Sequence, residues 1–125
     1  MALAEKLGKA NRHDVERPES VKLAKDRLTI RWAINENVND DLISRGARSD
    51  AVDILEMVEG SAIDYDKVVL EGTFAMQDVK GNAAEDVVIR ATYSFDELIG
   101  VNWENFNGEN VWKISDKASV HREFQ

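Results

Sequence analysis

From Asp66 onward the apolar residues of this chain recur at every second position, and that period limits what the C-terminal half can become. In KVVLEGTFAMQ, Val68, Leu70, Phe74 and Met76 fall on one side, with Gly72 between them. In EDVVIRATYSF, Val87, Ile89, Ala91, Tyr93 and Phe95 fall on one side. The intervening DVKGN carries turn chemistry, so the two runs are expected as antiparallel neighbours. DELIG then makes a short link.

The first half has a different period. Residues 1–17 are polar and mixed in charge and read as an arm. Pro18 followed by ESVKLAKD suits a helix start. In RLTIRWAIN, Leu28, Ile30, Trp32 and Ile34 alternate as in a strand, yet Val21, Ala24, Leu28 and Trp32 also lie at helical spacing. Two readings stay open: a helix then a strand, or one helix from Pro18 to about Ile34. NENVNDDLISRGARS is glycine-broken and reads as a turn of helix and a loop. Ser49 can cap a helix through DAVDILEMVEG, whose Ala51, Ile54, Leu55 and Val58 share a face. Asp50 and Asp53 sit in its first turn, where the helix dipole favours acids, and Gly60 stops it.

VNWENFNGENVW, residues 101–112, raises a choice between a binding surface and a piece of fold. Asn107-Gly108 is a strong signal for a two-residue hairpin. Counting outward from it sets Trp103 opposite Trp112 as a cross-strand pair flanked by Val101 and Ile114. The last strand is expected to continue from Trp112 to Phe124, with a bend near Ser115 and Asp116.

The chain has 125 residues, 43% hydrophobic and 32% charged, which is the composition of a globular domain. The expected organisation is the arm over 1–17 and one domain over 18–125. No apolar run approaches a membrane span, and MALAEKLGKANRHD holds no apolar secretion-signal segment. The absence of cysteine excludes disulfides and thiolate chemistry. Net charge is −8, distributed as +3 over residues 1–34, −7 over 35–66 and −4 over 67–125. An acidic body argues against direct nucleic-acid binding. These features point to a cytoplasmic or virion setting.

Residues with catalytic chemistry are few. His13 and His121 have no carboxylate or hydroxyl at a spacing that would make them general bases. Asn35, Asn37 and Asn39 start like a calcium loop, but Asp40 and Gly46 stand where glycine and glutamate are required. No cofactor and no metal site is expected, and an enzyme is the less favoured class. The acids Asp40, Asp41, Asp50, Asp53, Glu56 and Glu59 form a candidate interaction surface. Asp64, Tyr65 and Asp66, with Trp103 and Trp112, form a candidate ligand platform.

The expected fold is α+β: N-terminal helical segments packed on a curved antiparallel meander of about four strands, with the Asn-Gly hairpin near the C-terminus. A small β-barrel or sandwich with one helix is the alternative. In element order this resembles cystatin-like and NTF2-like folds, which implies a sheet with a concave face. Three functions follow as expectations. The leading one is a non-catalytic protein-interaction module, a subunit of a virion or secretion-type machine, with a protein partner or self-association. The others are an NTF2-like small-molecule binder or small enzyme, and an acidic immunity-type inhibitor of a basic partner.

Overall fold

The computed structural model describes residues 20–35, 39–60, 65–77, 80–121 and 124, and of Asp40, Gln77 and Ala83 the backbone only. The polar arm expected over 1–17 lies outside these residues, as do His13 and Asp64. The described elements are β1 (Ser20–Ala24), β2 (Arg27–Ala33), α1 (Asp40–Glu59), β3 (Lys67–Gln77), β4 (Ala83–Ser94), α2 (Phe95–Ile99), a 3-10 turn (Gly108–Asn110) and β5 (Lys117–Val120). The strands form one mixed sheet in the order β1-β2-β3-β4-β5. The fold is α+β, with five strands rather than four and one main helix. Among the described residues the sheet does not close into a barrel: β1 and β5 are its edges.

The strand expected in RLTIRWAIN is present as β2, but the helix expected before it is not: Ser20–Ala24 is a strand, and the reading of one helix to Ile34 fails with it. Residues 20–33 form a hairpin, with Val21 opposite Ile30 and Leu23 opposite Leu28. Its two-residue turn is Lys25-Asp26, at φ 52° and 64°. Positive φ at both positions is the backbone sense of a type I′ turn. Helix-forming residues yield here to strand pairing, since local propensity is worth less than a ladder joined to a core strand.

β2 and β3 run parallel, in register from Arg27↔Lys67 to Ala33↔Thr73. A parallel pair needs a crossover, and α1 supplies it. The helix is longer than the sequence suggested. Asn39 caps it, its side chain accepting from the Leu42 N–H at 2.9 Å. Ser49, expected as the cap, lies mid-helix. Ser44 and Ala47 are buried and continue the face of Ala51, Ile54, Leu55 and Val58 toward the N-terminus. That extra burial outweighs Gly46, which costs a helix interior about 1 kcal/mol. Gly60 ends the helix as expected.

β3 and β4 are antiparallel, as the alternation requires, with the register shifting between Gly72 and Thr73. The shift displaces the expected face of β4. Ile89, Ala91 and Tyr93 are buried, whereas Val87 and Phe95 are exposed and Val88 is buried instead. Three cross-strand rows face α1: Leu28–Val68–Tyr93, Ile30–Leu70–Ala91 and Trp32–Gly72–Ile89. Gly72 is the gap into which Trp32 lies: a Cβ there would stand 3.1 Å from Trp32 Cη2 and 3.1 Å from Ile34 Cδ1.

The Asn-Gly hairpin is not formed. Asn107 has φ −81°, and its side chain accepts from the Glu109 N–H, capping the 3-10 turn. Asparagine is as good a cap as a hairpin corner, and the cap prevails here. Residues 101–116 instead fold as successive turns over the core, tied down by the Tyr93 hydroxyl, which donates to the Val111 carbonyl at 2.7 Å. The final strand is only Lys117–Val120. Phe124 then returns to the core, edge-on to Phe74 at 5.3 Å.

Candidate functional site

Strand alternation gives the sheet two unlike faces. One is covered by α1 and the 101–116 segment. The other carries Lys22 on β1, Arg27 and Arg31 on β2, Lys67 on β3, Arg90 on β4 and Lys117 on β5. Against these bases stand Glu71 and Glu85. Register gathers them: Lys22, Thr29, Val69, Thr92 and Lys117 make one row across the sheet, and Arg31, Glu71 and Arg90 make the next.

Glu71 organises the centre of this basic face. Its side chain is 10% exposed. Arg31 donates to one carboxylate oxygen through Nε at 3.2 Å and Nη2 at 3.0 Å. Arg90 donates to the other oxygen. Burial pushes the carboxyl pKa up, but the hydrogen bonds and charges of Arg31 and Arg90 outweigh it and hold the group below the ordinary carboxylate value. The arginine side chains remain 40% and 60% exposed. Guanidinium carries five N–H donors. Arg90 bonds Glu71 through Nη2, and its side chain is 60% exposed. Beside the clamp, Arg27, Thr29, Val69, Glu71, Arg90 and Thr92 line a notch of about 270 Å³.

The covering layer has the opposite charge. On α1, Asp41, Asp50, Asp53, Glu56 and Glu59 outnumber Arg45 and Arg48. Asp96 and Glu97 on α2 and Glu104 and Glu109 in the following segment add to it. At 100° per residue, Leu42, Arg45, Ser49, Asp53 and Glu56 lie opposite the buried stripe and point away from the sheet. Asp41 pairs with Arg45 at 3.1 Å, one turn along the helix. An open cleft of about 400 Å³ lies between α1 and the 3-10 turn, lined by Arg45, Arg48, Ser49, Val52, Asp53 and Glu109 among others.

The expected ligand platform does not assemble as one surface. Tyr65 is buried edge-on to Phe95 at 5.4 Å, with no hydrogen-bond partner on its hydroxyl. Desolvation, and then the charge of Glu59, raises its pKa. Asp66 is exposed; its N–H donates to the Asp26 carbonyl and its own carbonyl accepts from Phe95. Trp103 and Trp112 are partly buried against the core, and Trp103 stacks edge-on with Phe106 rather than with Trp112. Asp41, Asp50, Asp53, Glu56 and Glu59, five of the acids read as a candidate interaction surface, all belong to α1. The basic face was missed, because its members come from five strands and only the pairing register brings them together.

Among the described residues no cluster of three or more His, Cys, Asp or Glu could hold a metal ion, and no helix is long and apolar enough to cross a membrane. Compared with family models, curated proteins and solved structures, the chain matches none.

Proposed function

We propose that this chain is a non-catalytic protein-interaction module, a subunit of a larger assembly of the virion or secretion-machine kind, which docks an acidic protein surface on the sheet face opposite α1. One observation carries the reading: a protein of net charge −8 concentrates Lys22, Arg27, Arg31, Lys67, Arg90 and Lys117 on one face of its sheet. Charges arranged in this way steer association and fix orientation more than they add raw affinity. The acidic layer opposite is the surface a basic partner would take, which keeps the inhibitor reading within the same class. The NTF2-like reading has less behind it, since Tyr93 and Tyr65 are core residues and α1 packs on the face that would hold a cavity. The α1 cleft speaks for a small ligand.

The test is the hydrodynamic size of the native protein in gently lysed source material at low salt. The module reading expects a particle larger than one chain, and a single-chain size for an Arg27→Glu/Lys117→Glu double variant. A native protein that runs as one free chain would count against it.

A further inference from the structure

β1 is an edge strand, and Val21, Lys22, Leu23 and Ala24 are all exposed. The turn that follows it is the two residues Lys25-Asp26, so Ala24 and Arg27 form a hydrogen-bonded pair, and every second pair beyond them does the same. Ala24, Lys22 and Ser20 therefore give their backbone groups to β2. Val21 and Leu23 turn theirs outward, two N–H donors and two carbonyl acceptors along a free edge. Among the described residues no hydrogen bond closes that edge. The side chains are accessible too: Val21 is 39% and Leu23 54% exposed. Resting on the module reading, we infer that the partner adds a strand to β1, an extended acidic segment in which apolar and acidic residues alternate.

The two sides of β1 set that alternation. Val21 and Leu23 continue the rows Ile30–Leu70–Ala91 and Leu28–Val68–Tyr93 outward, past the end of the core. Apolar side chains on an added strand cover them there, as neighbours cover those rows within the sheet. Lys22 lies on the other side of β1, the side of Arg27 and Arg31. An acid opposite Lys22 makes a cross-strand ion pair. Acids two residues to either side stand beside Ala24 and Ser20, whose partners on β2 are Arg27 and Arg31. The outward groups of Val21 and Leu23 supply main-chain hydrogen bonds, which give affinity in this mode of recognition, while the alternate side chains give specificity. A second copy of β1 is the poorer occupant. Two-fold pairing that joins Val21 to Leu23 of the other strand sets Lys22 directly against Lys22, and like charges in that position destabilise a pair. The lysine that selects an acidic strand thus also deters self-pairing, a common protection of an edge.

The experiment titrates the isotopically labelled full chain with a blocked seven-residue peptide of alternating glutamate and valine, and with its lysine–valine counterpart, following backbone amides by NMR. The glutamate peptide is expected to shift the Val21 and Leu23 amides and to slow their hydrogen exchange. The lysine peptide is expected to bind about fivefold more weakly, because it sets a like charge opposite Lys22. Lys22→Glu is expected to reverse that order. Val21→Pro removes one outward donor without touching the ladder to β2, a place where an edge strand tolerates proline. It is expected to keep the circular dichroism spectrum of the wild type and to weaken the glutamate peptide about fivefold. If that spectrum changes, Lys22→Glu alone carries the test. Perturbations that map away from β1, or equal binding of the two peptides, overturn the inference. So does a light-scattering mass that doubles with concentration in the wild type and stays at one chain in Val21→Pro, since the occupant is then a second copy. An absence of shifts at millimolar peptide also overturns it, and a native particle larger than one chain would still leave the module reading standing.

Discussion

Glu71 is a carboxylate on the sheet face opposite α1, yet it is buried and held by two guanidinium groups, so its worth depends on pH. Its pKa in the folded protein lies below the ordinary value of 4.5. A group depressed on folding adds stability above its unfolded pKa and loses it as pH falls through the folded one. Acid titration of the wild type should therefore show stability falling from about pH 4.5 downward. Glu71→Gln should lower stability at neutral pH by about 1–3 kcal/mol and flatten that acid limb, because the amide has no proton to bind. Denaturant unfolding across the pH range checks both; an equally steep acid limb in the variant would assign it to other carboxylates. Two glycines give opposite expectations. Gly46 is mid-helix and a Cβ there meets nothing within 4 Å, so Gly46→Ala should raise stability by about 1 kcal/mol. Gly72→Ala should lower it by about 1–3 kcal/mol, since the new methyl crowds Trp32 and Ile34. Thermal melts of the pair compare the two directly.

At the scale of elements, the start of α1 separates what the residues encode from what a pattern suggests. Asn39→Ala removes the side chain that accepts from Leu42 and should cost about 1 kcal/mol, whereas Ser49→Ala, mid-helix and exposed, should cost almost nothing. Reversal of those costs in chemical denaturation would restore the shorter helix. The elements that were legible share a strong period: β3, β4, and the Ala51–Val58 face of α1 with its Gly60 stop. Those that were not legible turn on competition. β1 is made of residues that suit a helix equally well, and only the ladder to β2 decides. Asn107 could corner a hairpin or cap a turn, and the Tyr93–Val111 bond holds the segment in the geometry where it caps. The acidic side of the candidate site could be seen along one helix. The basic side could not, because counting charge along the chain spreads its members between a segment of net +3 and one of net −4. The register between strands, which no local pattern states, is what assembles them.

For the whole molecule, net charge and surface charge make different predictions. At net −8 and a sequence pI near 4.7, a uniformly charged protein of this composition would pass through a cation exchanger at neutral pH. The basic sheet face should make this one bind. Within a screening length of about 10 Å at 0.1 M salt, a resin surface pressed against the sheet senses the bases of that face far more than the acids beyond the core. Retention on a sulfonate resin at pH 7 and low salt is therefore expected, with elution at modest salt. The same protein should also bind an anion exchanger through its α1 layer, and more tightly, in line with its net charge. Arg27→Glu/Lys117→Glu should abolish retention on the sulfonate resin while strengthening it on the anion exchanger. Flow-through of the wild type on sulfonate would mean that the acidic layer dominates the potential even at the sheet face, and that an acidic partner would be repelled before it could dock.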